Sequence, residues 1–158
     1  MKRLAAFGLC VALCISLTAC RFVDLEPEEF LHKLEGAAQW LGQTQLTRDE
    51  NLLGTRTTSD GDSFVGQHTA DCTEATGRDV VFGGASTQAR TIRVYGVIET
   101  EAGEAKVRIR RNATVEEYGP DEHGGLELVL DLSGGGNYIM VCYDSFSGTV
   151  ELHAEYLE

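Results

Sequence analysis

Glu104-Ala105-Lys106-Val107-Arg108-Ile109-Arg110-Arg111 alternates small or branched apolar residues with cations. A period of two puts Ala105, Val107 and Ile109 on one face and Lys106, Arg108 and Arg110 on the other, the signature of a strand with one dry and one wet side. The pattern recurs outward in both directions. Thr91 to Glu99 sets Ile92, Val94 and Ile98 against Arg93 and Glu99, and Leu126 to Leu132 sets four leucines against Glu127 and Asp131. Gly148 to Leu157 alternates Val150, Leu152, Ala154 and Tyr156 with Glu151, His153 and Glu155. Asn137 to Tyr143 is apolar on both faces, as in a central strand, and Arg78 to Phe82 and Asp62 to Gln67 add shorter strands. Turn chemistry separates these runs at Glu101-Ala102-Gly103-Glu104, Asp121-Glu122-His123-Gly124-Gly125, Ser133-Gly134-Gly135-Gly136 and Ser145-Phe146-Ser147-Gly148. Short strands in such close succession, with no helical pattern between them, predict an antiparallel, jelly-roll-like β-sandwich and exclude a parallel α/β sheet.

Three segments follow. Residues 52–158 form the sandwich. Residues 20–51 hold one helix and a linker: Glu26-Pro27-Glu28-Glu29 reads as a helix start, and Phe30, Leu34, Ala37 and Leu41 recur at helical spacing before Gly42. Thr47-Arg48-Asp49-Glu50 matches a capping box, but Gly54 limits any helix there to a turn or two. Residues 1–19 read as a signal peptide, with Met1-Lys2-Arg3 ahead of an uncharged apolar run ending at Leu17-Thr18-Ala19-Cys20. The run is short for a bilayer span. The last four residues resemble the bacterial lipobox, which implies acylation of Cys20, anchoring through acyl chains, and a domain on the extracytoplasmic side.

The 158 residues carry 25 acids against 13 bases, a formal charge of −12. That balance argues against nucleic acid as a partner, since such binding depends on neutralising phosphates. Removing residues 1–19 takes away two bases and no acids, and an acidic body is repelled by anionic headgroups. Of five cysteines, Cys10 and Cys14 fall in the signal and Cys20 at the anchor. Cys72 and Cys142 remain, and in an exported domain they are expected to pair as a disulfide. Closing so long a loop would contribute about 4 kcal/mol.

The landmarks Asp62-Ser63-Phe64-Val65-Gly66, Gly77-Arg78-Asp79, Phe82-Gly83-Gly84-Ala85-Ser86, Gly136-Asn137-Tyr138-Ile139 and Phe146-Ser147-Gly148 resemble, in order, those of small bacterial lipoproteins built from a lipobox, a short helix and a C-terminal sandwich. The closing strands are similar to the last two of jelly-roll modules that bind or position other molecules. The resemblance implies no catalytic residue.

No GxSxG, HExxH or P-loop occurs, and Gly134-Gly135-Gly136 reads as a hairpin tip. The expectation is a non-enzymatic module that binds an envelope protein or a glycan and needs no cofactor. His68, Asp71 and Cys72 are close in sequence but short of a metal-ligand set. Calcium is a better alternative than that set, with Asp60, Asp62, Asp121 and Glu122 as loop carboxylates, but their spacing is outside that of an EF-hand and solvated turn acids are the simpler reading. Lys106, Arg108, Arg110 and Arg111 form one basic row, with Tyr118 nearby. Cross-strand pairing with Glu127 and Asp131, or with Glu151 and Glu155, is expected to neutralise it. Its functional reading is a surface for an anionic ligand. A carbohydrate-binding module is the alternative function, with Tyr118 in a loop, Tyr95 and Tyr143 on outer faces and Phe146 in a turn as exposed rings.

Overall fold

The computed structural model describes residues 27–59 and 61–157. The signal peptide, Cys20 and the calcium candidate Asp60 lie outside them. The chain divides into two compact units, Met1–Gly36 and Ala37–Glu158. One helix, α1 (Pro27–Gln43), begins in the first. Pro27 sits where a missing N–H costs nothing, Glu28 and Glu29 face the positive helix end, and Lys33 pairs with Glu29 one turn back at 2.9 Å. The expected capping box at 47–50 is a turn closed by Asn51 N–H donating to the Arg48 carbonyl.

The second unit is an antiparallel β-sandwich of six strands: β1 (Thr55–Ser59), β2 (Asp62–Ser86), β3 (Arg90–Arg111), β4 (Thr114–Tyr118), β5 (Gly125–Leu132) and β6 (Gly135–Tyr156). The strand order is β1-β2-β6-β3-β4, with β5 also on β3. Three strands are far longer than the sequence segments suggest. Glu101–Glu104 and Ser145–Gly148 are bends inside β3 and β6 rather than turns between strands. The register slips between Cys72 and Gly77 in β2 and between Thr100 and Glu104 in β3. Positive-φ residues cluster at that level: Glu74 (φ 50°) and Gly77 (φ 132°) in β2, Gly103 (φ 72°) in β3, and Ser145 (φ 50°) and Gly148 (φ 143°) in β6. Bulges of this kind bend a strand and raise its twist.

The bends divide the sheet into two arms. In the first, β1, β2, β6, β3 and β5 lie side by side, with His68 opposite Leu152 and Val94 between Ala154 and Leu128. In the second, β2, β6, β3 and β4 lie side by side, with Met140 between Val80 and Arg108 and Glu117 beyond. One core joins both arms: Ile92, Val94 and Ile98 from the first and Ala105, Val107 and Ile109 from the second belong to the same buried cluster as Phe64, Phe82 and Phe146. Burial of that surface is the main stabilising term, roughly 1.5–3 kcal/mol for each large apolar side chain.

The expected disulfide is absent: both thiols are free. Cys72 faces the core, whereas Cys142 lies between Val141 and Tyr143, which point inward, and so projects from the opposite face of the sheet. Burial pushes both thiols up. The ring assignments change as well. Tyr143 and Phe146 are core residues, and Tyr118 ends β4 packed against the core rather than standing in a loop.

Candidate functional site

Alternation along β3 does put Lys106, Arg108 and Arg110 on the outer face of the second arm. Arg111 turns to the other face, where Glu116 binds it and also accepts a hydrogen bond from the Tyr118 hydroxyl at 3.2 Å. Arg111 and Tyr118 are therefore not part of the basic surface. The carboxylates that neutralise the row also differ from expectation. Glu127 and Glu155 belong to the first arm and hold Arg93, while Asp131 accepts from Thr91. In the second arm Arg108 pairs with Glu117 from β4 at 2.9 Å. Lys106 pairs with Glu104 at 2.9 Å, and that hydrogen bond holds its ammonium above the ordinary lysine value.

Two cations remain. Among the described residues every lysine and arginine has a carboxylate partner except Arg78 and Arg110. Both line one depression of about 250 Å³ together with Gln45, Val80, Arg108, Tyr138 and Met140. The β2–β6–β3 register explains the meeting: Arg78 stands opposite Cys142, Val80 opposite Met140 and Arg110 opposite Tyr138. Tyr138 and Met140 are each 5% exposed, and the Arg110 guanidinium lies 4.5 Å over the Tyr138 ring. Long arginine stems cover apolar surface while their charged ends stay wet. A second depression of about 530 Å³ adjoins the first through Gln45, Arg110 and Tyr138 and adds Leu41, Gly42, Ala85, Asn112 and Gly136.

One wall of this groove comes from the end of α1 and the segment that leads to β1. A side chain at Gly42 would meet the Ala85 nitrogen at 2.0 Å, so glycine lets the end of α1 lie directly on β2. Farther along, Thr47 exchanges two hydrogen bonds with the Val80 backbone, and Leu53 N–H donates to Asp79 Oδ2 at 3.0 Å. Arg56, its side chain 10% exposed, donates to the carbonyls of Val80 and Thr47 and meets Asp49 at 2.7 Å. These bonds fix the wall against the strand that carries Arg78.

Of the remaining candidates, Asp62, Asp121, His68 and Tyr95 are occupied within the chain. Asp62 accepts from Phe64 N–H and from the Tyr156 hydroxyl. Asp121 accepts from the N–H groups of His123 and Gly125, which hold its carboxyl below the usual range. No group of three His, Cys, Asp or Glu able to hold a metal occurs among the described residues. His68 is 0% exposed with Nδ1 3.1 Å from the Thr55 carbonyl, so it faces no substrate. Tyr95 is on an outer face as expected, but His153 stacks on it and Arg93 sits 4.6 Å over it.

Sequence reasoning found Arg108 and Arg110 from the period of β3. It missed Arg78, Gln45, Tyr138 and Met140, whose meeting depends on register between strands distant in sequence. The available hint was a β6 segment apolar on both faces beside a basic strand.

No family model matches the sequence, and no characterised protein matches it. Among solved structures, the chain is similar to a carbohydrate-binding module (CBM6cm-2) from Cellvibrio mixtus lichenase 5A in complex with cellotriose, with 8% identity over 75% of this chain and 96% of that one and a TM-score of 0.41. It is also similar to a Paenibacillus sp. cycloisomaltooligosaccharide glucanotransferase complexed with cycloisomaltoheptaose, with 13% identity over 69% of this chain and 19% of that one and a TM-score of 0.27.

Proposed function

We propose that this protein is a non-catalytic, lipid-anchored module of the bacterial cell envelope that holds an anionic ligand on the outer face of its second arm. One observation carries the reading. In a chain with 25 acids and 13 bases, Arg78 and Arg110 keep no carboxylate, and both face the same groove with Arg108 between them. An acidic protein has ample means to neutralise two surface guanidiniums. Leaving both open in one place suits a ligand that brings its own negative charge, which guanidinium groups bind through charge-assisted, often bidentate hydrogen bonds. The lipobox-like end at Cys20 supplies the anchor in this reading, and the acidic body stands off the membrane.

The test is equilibrium binding of anionic and neutral envelope polymers to the full chain and to an Arg78→Glu/Arg110→Glu variant. Binding of an anionic polymer that the variant loses supports the reading. Equal binding by both proteins would place the ligand elsewhere.

A further inference from the structure

We propose that the groove's ligand is a linear anionic oligosaccharide several sugar units long, with successive charged groups falling on Arg78 and Arg110. The inference rests on the reading of the groove as a binding site. It adds the class and length of what binds there.

The backbone spacing of the two open cations favours an extended ligand over a single small anion. Arg78 and Arg110 are separated by four residues of β6 and by two strand spacings. With a rise of about 3.4 Å per residue and a spacing of about 4.8 Å between strands, their backbones lie about 17 Å apart. Arg108 falls between them, one alternate position from Arg110. A ligand that spans the track from Arg78 to Arg110 is extended and carries charge at intervals. The two depressions provide a track of that kind, because they share Gln45, Arg110 and Tyr138.

The walls favour a glycan over an acidic peptide. The floor strands β6 and β3 are interior, each paired along both edges in this arm. A peptide would find no free ladder on β6 or β3, and on β2 both backbone groups of Val80 are already held by Thr47, so strand addition has little to extend. Recognition falls to side chains alone. The Gln45 amide stands where the two depressions meet, with no partner among the described residues, and it offers both donor and acceptor to hydroxyl groups. Neutral sugars are served poorly here, because the Tyr138 ring is buried beneath Arg110 rather than open for stacking. Charge must do the selecting.

Uronate carboxylates and sulfate esters share the required chemistry, and titration separates them. The full chain in detergent micelles is titrated with oligogalacturonates from monomer to hexamer, a sulfated oligosaccharide, cellohexaose and poly-L-glutamate. Acidic oligosaccharides are expected to bind more tightly with length. Binding should weaken as salt rises from about 0.05 to 0.3 M. Arg78→Ala and Arg110→Ala should each weaken it about tenfold, the scale of one charge-assisted hydrogen bond. Tighter binding of the sulfated chain also supports the inference and identifies the ester as the charged group. A monomer that binds as well as the hexamer, cellohexaose that binds as well as the uronates, or a preference for poly-L-glutamate would each overturn it. If such binding is still lost in Arg78→Glu/Arg110→Glu, the groove remains the site and only the ligand class fails. Binding untouched by that variant overturns both.

Discussion

His68 places a titratable ring where water does not reach. Burial pulls its pKa below the ordinary value, and Arg56 adds to that, while the bond to the Thr55 carbonyl and the charge of Asp79 oppose it. The folded protein therefore holds His68 neutral at a pH where the unfolded chain would take up a proton. The sign follows: stability is retained above about pH 6.5 and declines as pH falls through that value toward the lowered folded pKa. The expected slope in this window is up to about 1.4 kcal/mol per pH unit, and His68→Leu should flatten it. Denaturant midpoints at pH 7.5 and 5.5 measure this, and an unchanged slope in His68→Leu would assign the acid sensitivity to other groups. The cysteines give a second residue-scale prediction. Because Cys72 and Cys142 project from opposite faces, reductant should leave the melting temperature unchanged, and a drop of several degrees would reveal a cross-link.

At the scale of elements, the bends of β2, β3 and β6 organise the fold. Gly148 lies at that level with φ 143°, and an added Cβ would meet the Glu99 carbonyl oxygen at 2.0 Å. Gly148→Ala should cost about 3 kcal/mol, combining backbone strain with displacement of the neighbouring strand. Thermal unfolding checks it, and a cost below about 0.5 kcal/mol would mean that the bend does not depend on this approach. The same place marks what the sequence could disclose. Alternation identified the dry and wet faces of 91–99 and 104–111 correctly because period two is local. It could not show that both belong to β3, since Gly103 supplies the same positive φ to a hairpin turn and to a bulge. Phe146 misled for the same reason: among serines and a glycine it reads as a turn residue, yet the bend carries it into the core. Arg78 went unrecognised because its partners come from β6 and β3, and register across so many residues leaves no local pattern.

For the whole molecule, charge and anchoring belong together. In the proposed reading, acyl chains at Cys20 would tether an acidic body that anionic headgroups repel. Cys20→Ser should move the protein from the membrane fraction to the soluble fraction, and unchanged partition would count against acylation. On the body itself, arginines of the first arm are absorbed by carboxylates, as Arg93 is by Glu127 and Glu155, while the second arm leaves Arg78 and Arg110 open. The most direct test of that asymmetry compares three full-length proteins for binding to an anionic oligosaccharide: the unaltered chain, Arg78→Glu/Arg110→Glu, and Arg93→Glu as a control on the other arm. Loss of binding in the double variant with retention in Arg93→Glu is the predicted result. Retention in the double variant, or equal loss in both, would contradict the assignment of the groove.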